Sequence, residues 1–184
     1  MIPTVIVALL FAQPAQPAPG GAESVAEATD TQERPAATLT RSERLERALR
    51  EDGETASRLI PAIIRWGGHL SDGQAYDIAL AIARNARQRE LRPEVVVALI
   101  RVESEYRIDA VSPTSDYGLC QVHGQAVMDI QRNIALGCDE LGWRLRGAGG
   151  DYRAALAGYN GGTHPPAVSW AYADRVLALA EEVH

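Results

Sequence analysis

Between residues 71 and 89 the apolar positions Ala75, Ile78, Ala79, Ile82, Ala83 and Ala86 repeat at three- and four-residue intervals. That is the spacing of a helix with one buried face. Ser71 and Gln74 stand at capping-box distance and give the helix its start. Pro93 then occupies a first-turn position before Val95-Val96-Val97-Ala98-Leu99-Ile100, a segment apolar nearly all round and so expected to be the buried central helix. Upstream, Thr40 and Glu43 form another capping box ahead of Leu45, Ala48 and Leu49. A second short helix is expected over residues 55–65, bent or interrupted by Pro61 and ended by Gly67-Gly68. Further helices are expected at residues 125–146, 151–157 and 167–183. No segment shows a convincing period-two alternation, so the fold class is all-α or nearly so.

The pattern differs at the N-terminus. Residues 1–12 are an apolar run of signal-peptide length with no Arg or Lys before it, and Ala12 and Ala15 offer cleavage points. Residues 13–39 are rich in Pro, Ala, Gly and Thr and read as a linker, because they carry too little apolar surface to offset ordering. Residues 40–70 form an N-terminal helical extension and 71–184 the main domain. Export to the periplasm or beyond is expected, with the apolar run cleaved or kept as an anchor. Composition narrows the function. The chain is 46% hydrophobic, enough for a core, and its formal charge of -6 speaks against a nucleic-acid partner. All 18 basic residues are arginine, which removes lysine Schiff-base and P-loop chemistry.

The central helix closes with Leu99-Ile100-Arg101-Val102-Glu103-Ser104-Glu105. Glu103 follows Ile100, Leu99 and Val96 on one stripe, so its carboxylate is held against hydrocarbon and its pKa is pushed toward that of a general acid. The plainer alternative is an ion pair with Arg107, one turn on. Glu105 has Arg101 one turn back and reads as a solvated salt bridge.

Five segments in order carry a resemblance. They are Val102-Glu103-Ser104, Ser112-Pro113, Gly118-Leu119-Cys120-Gln121-Val122, Asn133-Ile134-Ala135-Leu136-Gly137 and Ala157-Gly158-Tyr159-Asn160-Gly161-Gly162, with Tyr172-Ala-Asp-Arg-Val176 after them. Together they resemble the lytic transglycosylase domain with the goose-lysozyme-like fold, from Pro93 to the C-terminus. Ser115-Asp116, Cys120 and His123-Gly124 depart from the family pattern, which bears on the cleft and not on the acid.

The resemblance implies a lysozyme-like helical domain with its cleft around the central helix, acting on peptidoglycan glycan strands without a cofactor or metal. Glu103 would protonate the bond between N-acetylmuramic acid and N-acetylglucosamine. It would then deprotonate the muramoyl C6 hydroxyl, closing a 1,6-anhydro ring. Tyr159 would hydrogen-bond Glu103 as the second catalytic residue. Ser104, Gln121, Asn160 and Tyr172 would meet the sugar, with core or capping roles as the alternatives for Tyr159, Tyr172 and Asn160.

Asp116 is either a turn aspartate or a second carboxylate that positions water, which would make the protein a hydrolytic muramidase. Cys120 and Cys138 leave two readings open, a disulfide or two separate buried thiols. A zinc site from Cys120, His123 and Cys138 lacks a fourth ligand. A non-catalytic wall-binding protein is the remaining function class. A monomer is assumed, and an acidic enzyme on an anionic wall polymer leaves room for a localising protein partner.

Overall fold

A computed structural model describes residues 39–184. The apolar run and almost all of the linker lie outside the described residues. Among the described residues the order is α1 (Arg41–Trp66), α2 (Asp72–Gln88), α3 (Pro93–Glu103), β1 (Asp116–Tyr117), β2 (Val122–His123), α4 (Ile130–Gly147), α5 (Tyr152–Gly161) and α6 (Ala167–Ala180). None of these helices is long and apolar enough to cross a membrane.

Both capping boxes form. The Thr40 hydroxyl accepts from the Glu43 amide and the Ser71 hydroxyl from the Gln74 amide, and each N3 side chain reaches back to its cap. Asp129 and Asp151 cap α4 and α5 in the same way with their carboxylates. The cap at Asp129 starts α4 later than the expected position near residue 125.

One expectation fails. The two short helices expected at residues 40–65 are a single helix, α1, with Pro61 inside it. Ala56, Leu59, Ala62 and Ile63 are all buried, on both sides of the proline. Their packing against α2 continues the helix where local propensity would break it. A buried carboxylate adds to this contact. Asp52, 2% exposed, receives two hydrogen bonds from Arg87 of α2, at 2.7 and 2.9 Å.

Helix α2 buries its whole predicted stripe and also Ala81 and Asn85, because α1, α3 and α4 surround it. Residues 95–100 of α3 are buried without a break, so α3 is the central helix. Helices α5 and α6 pack on one another, and they reach α4 and α3 respectively.

The only strands among the described residues are the antiparallel pair β1 and β2, with Asp116 opposite His123 and Tyr117 opposite Val122, and Val111 adds an isolated bridge to Tyr117. Two-residue strands are too short to leave an alternating signature in sequence. Asn133 of α4 fixes this hairpin. Its Nδ2 donates to the Tyr117 and Val127 carbonyls and its Oδ1 accepts from the Cys120 amide, each at 2.8 Å. One turn on, Gly137 lies so close to the hairpin that a Cβ there would sit 2.5 Å from Cys120 Cβ. Gly118, at φ +73°, leaves room for the Asn133 amide in the same way.

Asn133 is 1% exposed, so shortening it strands the buried Cys120 amide and leaves the part-buried Tyr117 and Val127 carbonyls without their donor. Asn133→Ala is expected to lower stability by about 3 kcal/mol, read as a lower urea midpoint at unchanged slope.

Candidate active site

Glu103 is the last residue of α3, and the chain turns sharply after it. Glu105 and Tyr106 both sit in the left-handed region, at φ 53° and 64°. Tyr106 is wholly buried and donates its hydroxyl to the Val97 carbonyl at 3.0 Å, while His69 bonds to its backbone oxygen. Those contacts hold the strained turn in place. It leaves the Glu103 carboxyl over the core formed by Val96, Leu99 and Ile100 and at the negative end of the helix.

Burial pushes the Glu103 pKa up from 4.5 to about 7, and the negative charge of nearby Asp116 works in the same direction. A hydrogen bond from the Tyr172 hydroxyl to Glu103 Oε1 pulls the other way without cancelling the effect. The alternative pairing of Glu103 with Arg107 does not form. Arg101 and Glu105 approach to 4.0 Å, as their spacing suggested.

The tyrosines are placed differently from the sequence reading. Tyr172 of α6, expected against a sugar ring, is the residue that touches the acid. Tyr159, expected on Glu103, donates instead to the Cys120 carbonyl at 2.8 Å. The cause is Gly137, whose missing side chain lets the Tyr159 hydroxyl reach the backbone of the hairpin segment. Tyr159 still lies within electrostatic reach of Glu103, and burial raises the pKa of both phenols.

The other expected sugar contacts are mixed. Ser104 is 1% exposed and donates back to the Ile100 carbonyl, so it finishes α3 and does not face a ligand. Gln121 turns its amide nitrogen to the Gly118 and Ala110 carbonyls at 2.9 and 3.3 Å, which steadies the hairpin. Asn160 is exposed and lines the cleft, with its Oδ1 accepting from Ser169 at 2.9 Å. Gly161 beside it allows this close approach of α6, since a Cβ there would lie 2.3 Å from Ser169 Oγ.

The cleft is a cavity of about 720 Å³ with Asp116 and His123 on one wall and Tyr159 and Asn160 on another. Gly137, Glu140 and Arg144 of α4 run along it, and sequence reasoning had missed the last two. Glu103 is partly exposed and interacts electrostatically with Asp116 and Tyr159, both of which line this cleft.

Asp116 accepts within its own turn from Ser112 and Thr114, as a turn aspartate would, and also pairs with His123. Burial acts to raise its pKa, but hydrogen bonds from Ser112, Thr114 and His123 outweigh this and hold it below the usual aspartate value. The site therefore pairs a carboxyl biased toward neutrality with a carboxylate biased toward ionisation.

Cys120 and Cys138 are buried free thiols, so the disulfide is not formed. Cys120 Sγ packs against Gly137, at 2.7 Å from where a Cβ would be, in place of joining Cys138. Burial raises both thiol pKa values, that of Cys138 to about 12. No zinc set assembles from these cysteines and His123, whose ring is 81% exposed and bonded to Asp116. Among the described residues no group of three or more His, Cys, Asp or Glu side chains is arranged to hold a metal ion.

Residues 81–167 match the family model of the transglycosylase SLT domain. Among solved structures, the chain is similar to an inactive mutant of the lytic transglycosylase Slt from Pseudomonas aeruginosa. The identity is 22% and the TM-score 0.50, over 54% of this chain and 22% of that one. The likeness is therefore one of fold, and the chain spans about a fifth of that protein's length. No curated protein matches the chain.

The raised pKa of Glu103 has a consequence for stability. The folded chain keeps a proton that the unfolded chain releases above about 4.5, so stability is intact below that value and falls as pH rises to about 7. Glu103→Gln lacks this loss. Relative to the parent it is expected to gain on the order of 3 kcal/mol between about pH 4 and about pH 8, measured by urea unfolding at each pH.

Proposed function

We propose, from the match of residues 81–167 to the family model of the transglycosylase SLT domain, that the chain is a peptidoglycan lytic transglycosylase. It cuts the β-1,4 bond between N-acetylmuramic acid and N-acetylglucosamine and leaves 1,6-anhydromuramic ends. The observation that carries this reading is a mostly buried carboxyl with its pKa near 7, oriented by the Tyr172 hydroxyl beside the cleft residues Asp116 and Tyr159.

Tyr172 occupies Oε1 of Glu103, which leaves Oε2 to hold the transferable proton. Glu103 gives that proton to the glycosidic oxygen as the bond to the muramoyl C1 breaks. The sugar's own acetamido oxygen stabilises C1, and the ionised Asp116 adds favourable potential for the developing positive charge. The Glu103 carboxylate next removes the proton from the muramoyl C6 hydroxyl, and O6 closes on C1. Glu103 ends neutral, as it began, and no water is consumed. Capture within one molecule has a large effective-concentration advantage over capture by solvent.

A hydrolytic muramidase would need Asp116 as a base for water. Its Oδ2 already accepts from Ser112 and Thr114 and its Oδ1 from His123, and its pKa is lowered. Such a carboxylate is a weak and occupied base, which favours the transglycosylase. The apolar run at residues 1–12 supports export to the wall that holds this substrate.

The test is mass spectrometry of muropeptides released from purified peptidoglycan by the full chain. Anhydromuramic ends are expected, with yield falling as pH rises through about 7, and Glu103→Gln is expected to lose at least about a hundredfold in rate. Reducing ends, one water heavier, would mean a hydrolase. Undiminished release by Glu103→Gln would remove Glu103 from the chemistry.

A further inference from the structure

Beside the cleft lies a second groove of about 360 Å³, lined by Trp143, Trp170, Pro165 and Ala154. Arg144 and Gly162 border both spaces, so the cleft continues across α4 to the two tryptophans. Trp143 is 61% exposed, an unusual place for so large an apolar ring.

Both indoles are built into the surface in the same way. The Arg144 guanidinium lies over Trp143 at 5.1 Å and is held by Glu140 at 2.7 Å. The Arg153 guanidinium lies over Trp170 at 5.0 Å and is bound by both carboxylate oxygens of Asp174. A cation backing each ring restricts its motion before any ligand arrives. Gly158 contributes to this arrangement, since a Cβ there would meet the Arg144 side chain at 3.1 Å.

The chemistry of the groove selects its occupant. Each arginine already has a carboxylate partner, so neither is a spare cation for a phosphate or an acidic peptide. What remains is aromatic surface with small apolar groups around it. A pyranose ring presents a face of C–H groups that stacks on an indole, and an acetamido methyl suits small apolar neighbours. A polymeric substrate also extends past the bond being cut, and must leave the cleft by one of its ends.

We infer that the groove of Trp143 and Trp170 is a further glycan subsite, stacking on the C–H faces of N-acetylhexosamine units of the strand beyond those in the cleft. This rests on the glycan-cleaving reading above. The subsite adds affinity for long strands and takes no part in bond cleavage.

The test uses the full chain and peptide-free glycan strands, size-fractionated into tetrasaccharides and strands of dodecasaccharide length or longer. Trp143→Ala is expected to raise KM about tenfold for long strands with kcat unchanged. Tetrasaccharide kinetics should not move, and Trp143→Phe should restore most of the loss. Because Trp143 is exposed, the variant is expected to fold. Equal effects on both lengths, or none on either, would overturn the subsite. If the parent chain cleaves neither substrate, the enzyme reading fails separately and the groove is judged by binding alone. Quenching of tryptophan fluorescence by long strands, lost in Trp143→Ala, then supports it, and absence of quenching overturns it.

Discussion

A mostly buried carboxyl group at the end of a buried helix is the constraint around which the site is arranged. Glu103 lies where α3 stops, over Val96, Leu99 and Ile100, and burial favours its protonated form. After it the chain turns at once through Glu105 and Tyr106 in left-handed conformations, with the Tyr106 ring wholly buried. The Tyr172 hydroxyl then fixes one oxygen of the acid from α6. Core packing, backbone strain and one hydrogen bond together orient the acid and set its protonation.

The opposite wall depends on a different device. A short hairpin has little stability of its own, and this one is tied to α4 through Asn133 and through close approach at Gly137. Gly118 gives the Asn133 amide its space. With the hairpin fixed, Asp116 is set near the acid and held as an anion by three donors. Tyr159 closes the other side by bonding to the hairpin backbone at Cys120. Two carboxyl groups of opposite preference result, which suits a reaction that needs a proton donor and a site for positive charge.

Much of this was legible in the sequence because it rests on local rules. Capping boxes at Thr40 and Ser71, the apolar stripe of α2 and the first-turn Pro93 each depend on residues within a turn or two of one another. Glu103 was legible for the same reason, as a carboxylate on an apolar stripe. What escaped was long-range. The continuity of α1 through Pro61 comes from packing on α2, and the bond of Asp52 to Arg87 spans two helices. The choice between Tyr159 and Tyr172 as partner of the acid depends on where α5 and α6 sit relative to α3. Periodicity does not report that. The segment from Asn133 to Gly137 was noticed as a motif, but its role as the seat of the hairpin emerged only from three hydrogen bonds and one close contact.

The central claim is that folding holds Glu103 near neutrality around pH 7, and its carboxyl can be observed directly. Carbon-detected NMR of the glutamate side-chain carboxyls, followed through a pH titration, would report it, with the resonance assigned by its absence in Glu103→Gln. A midpoint near 7, far above the ordinary 4.5, is the expected result. A midpoint in the ordinary carboxylate range would contradict it and leave the site without its acid.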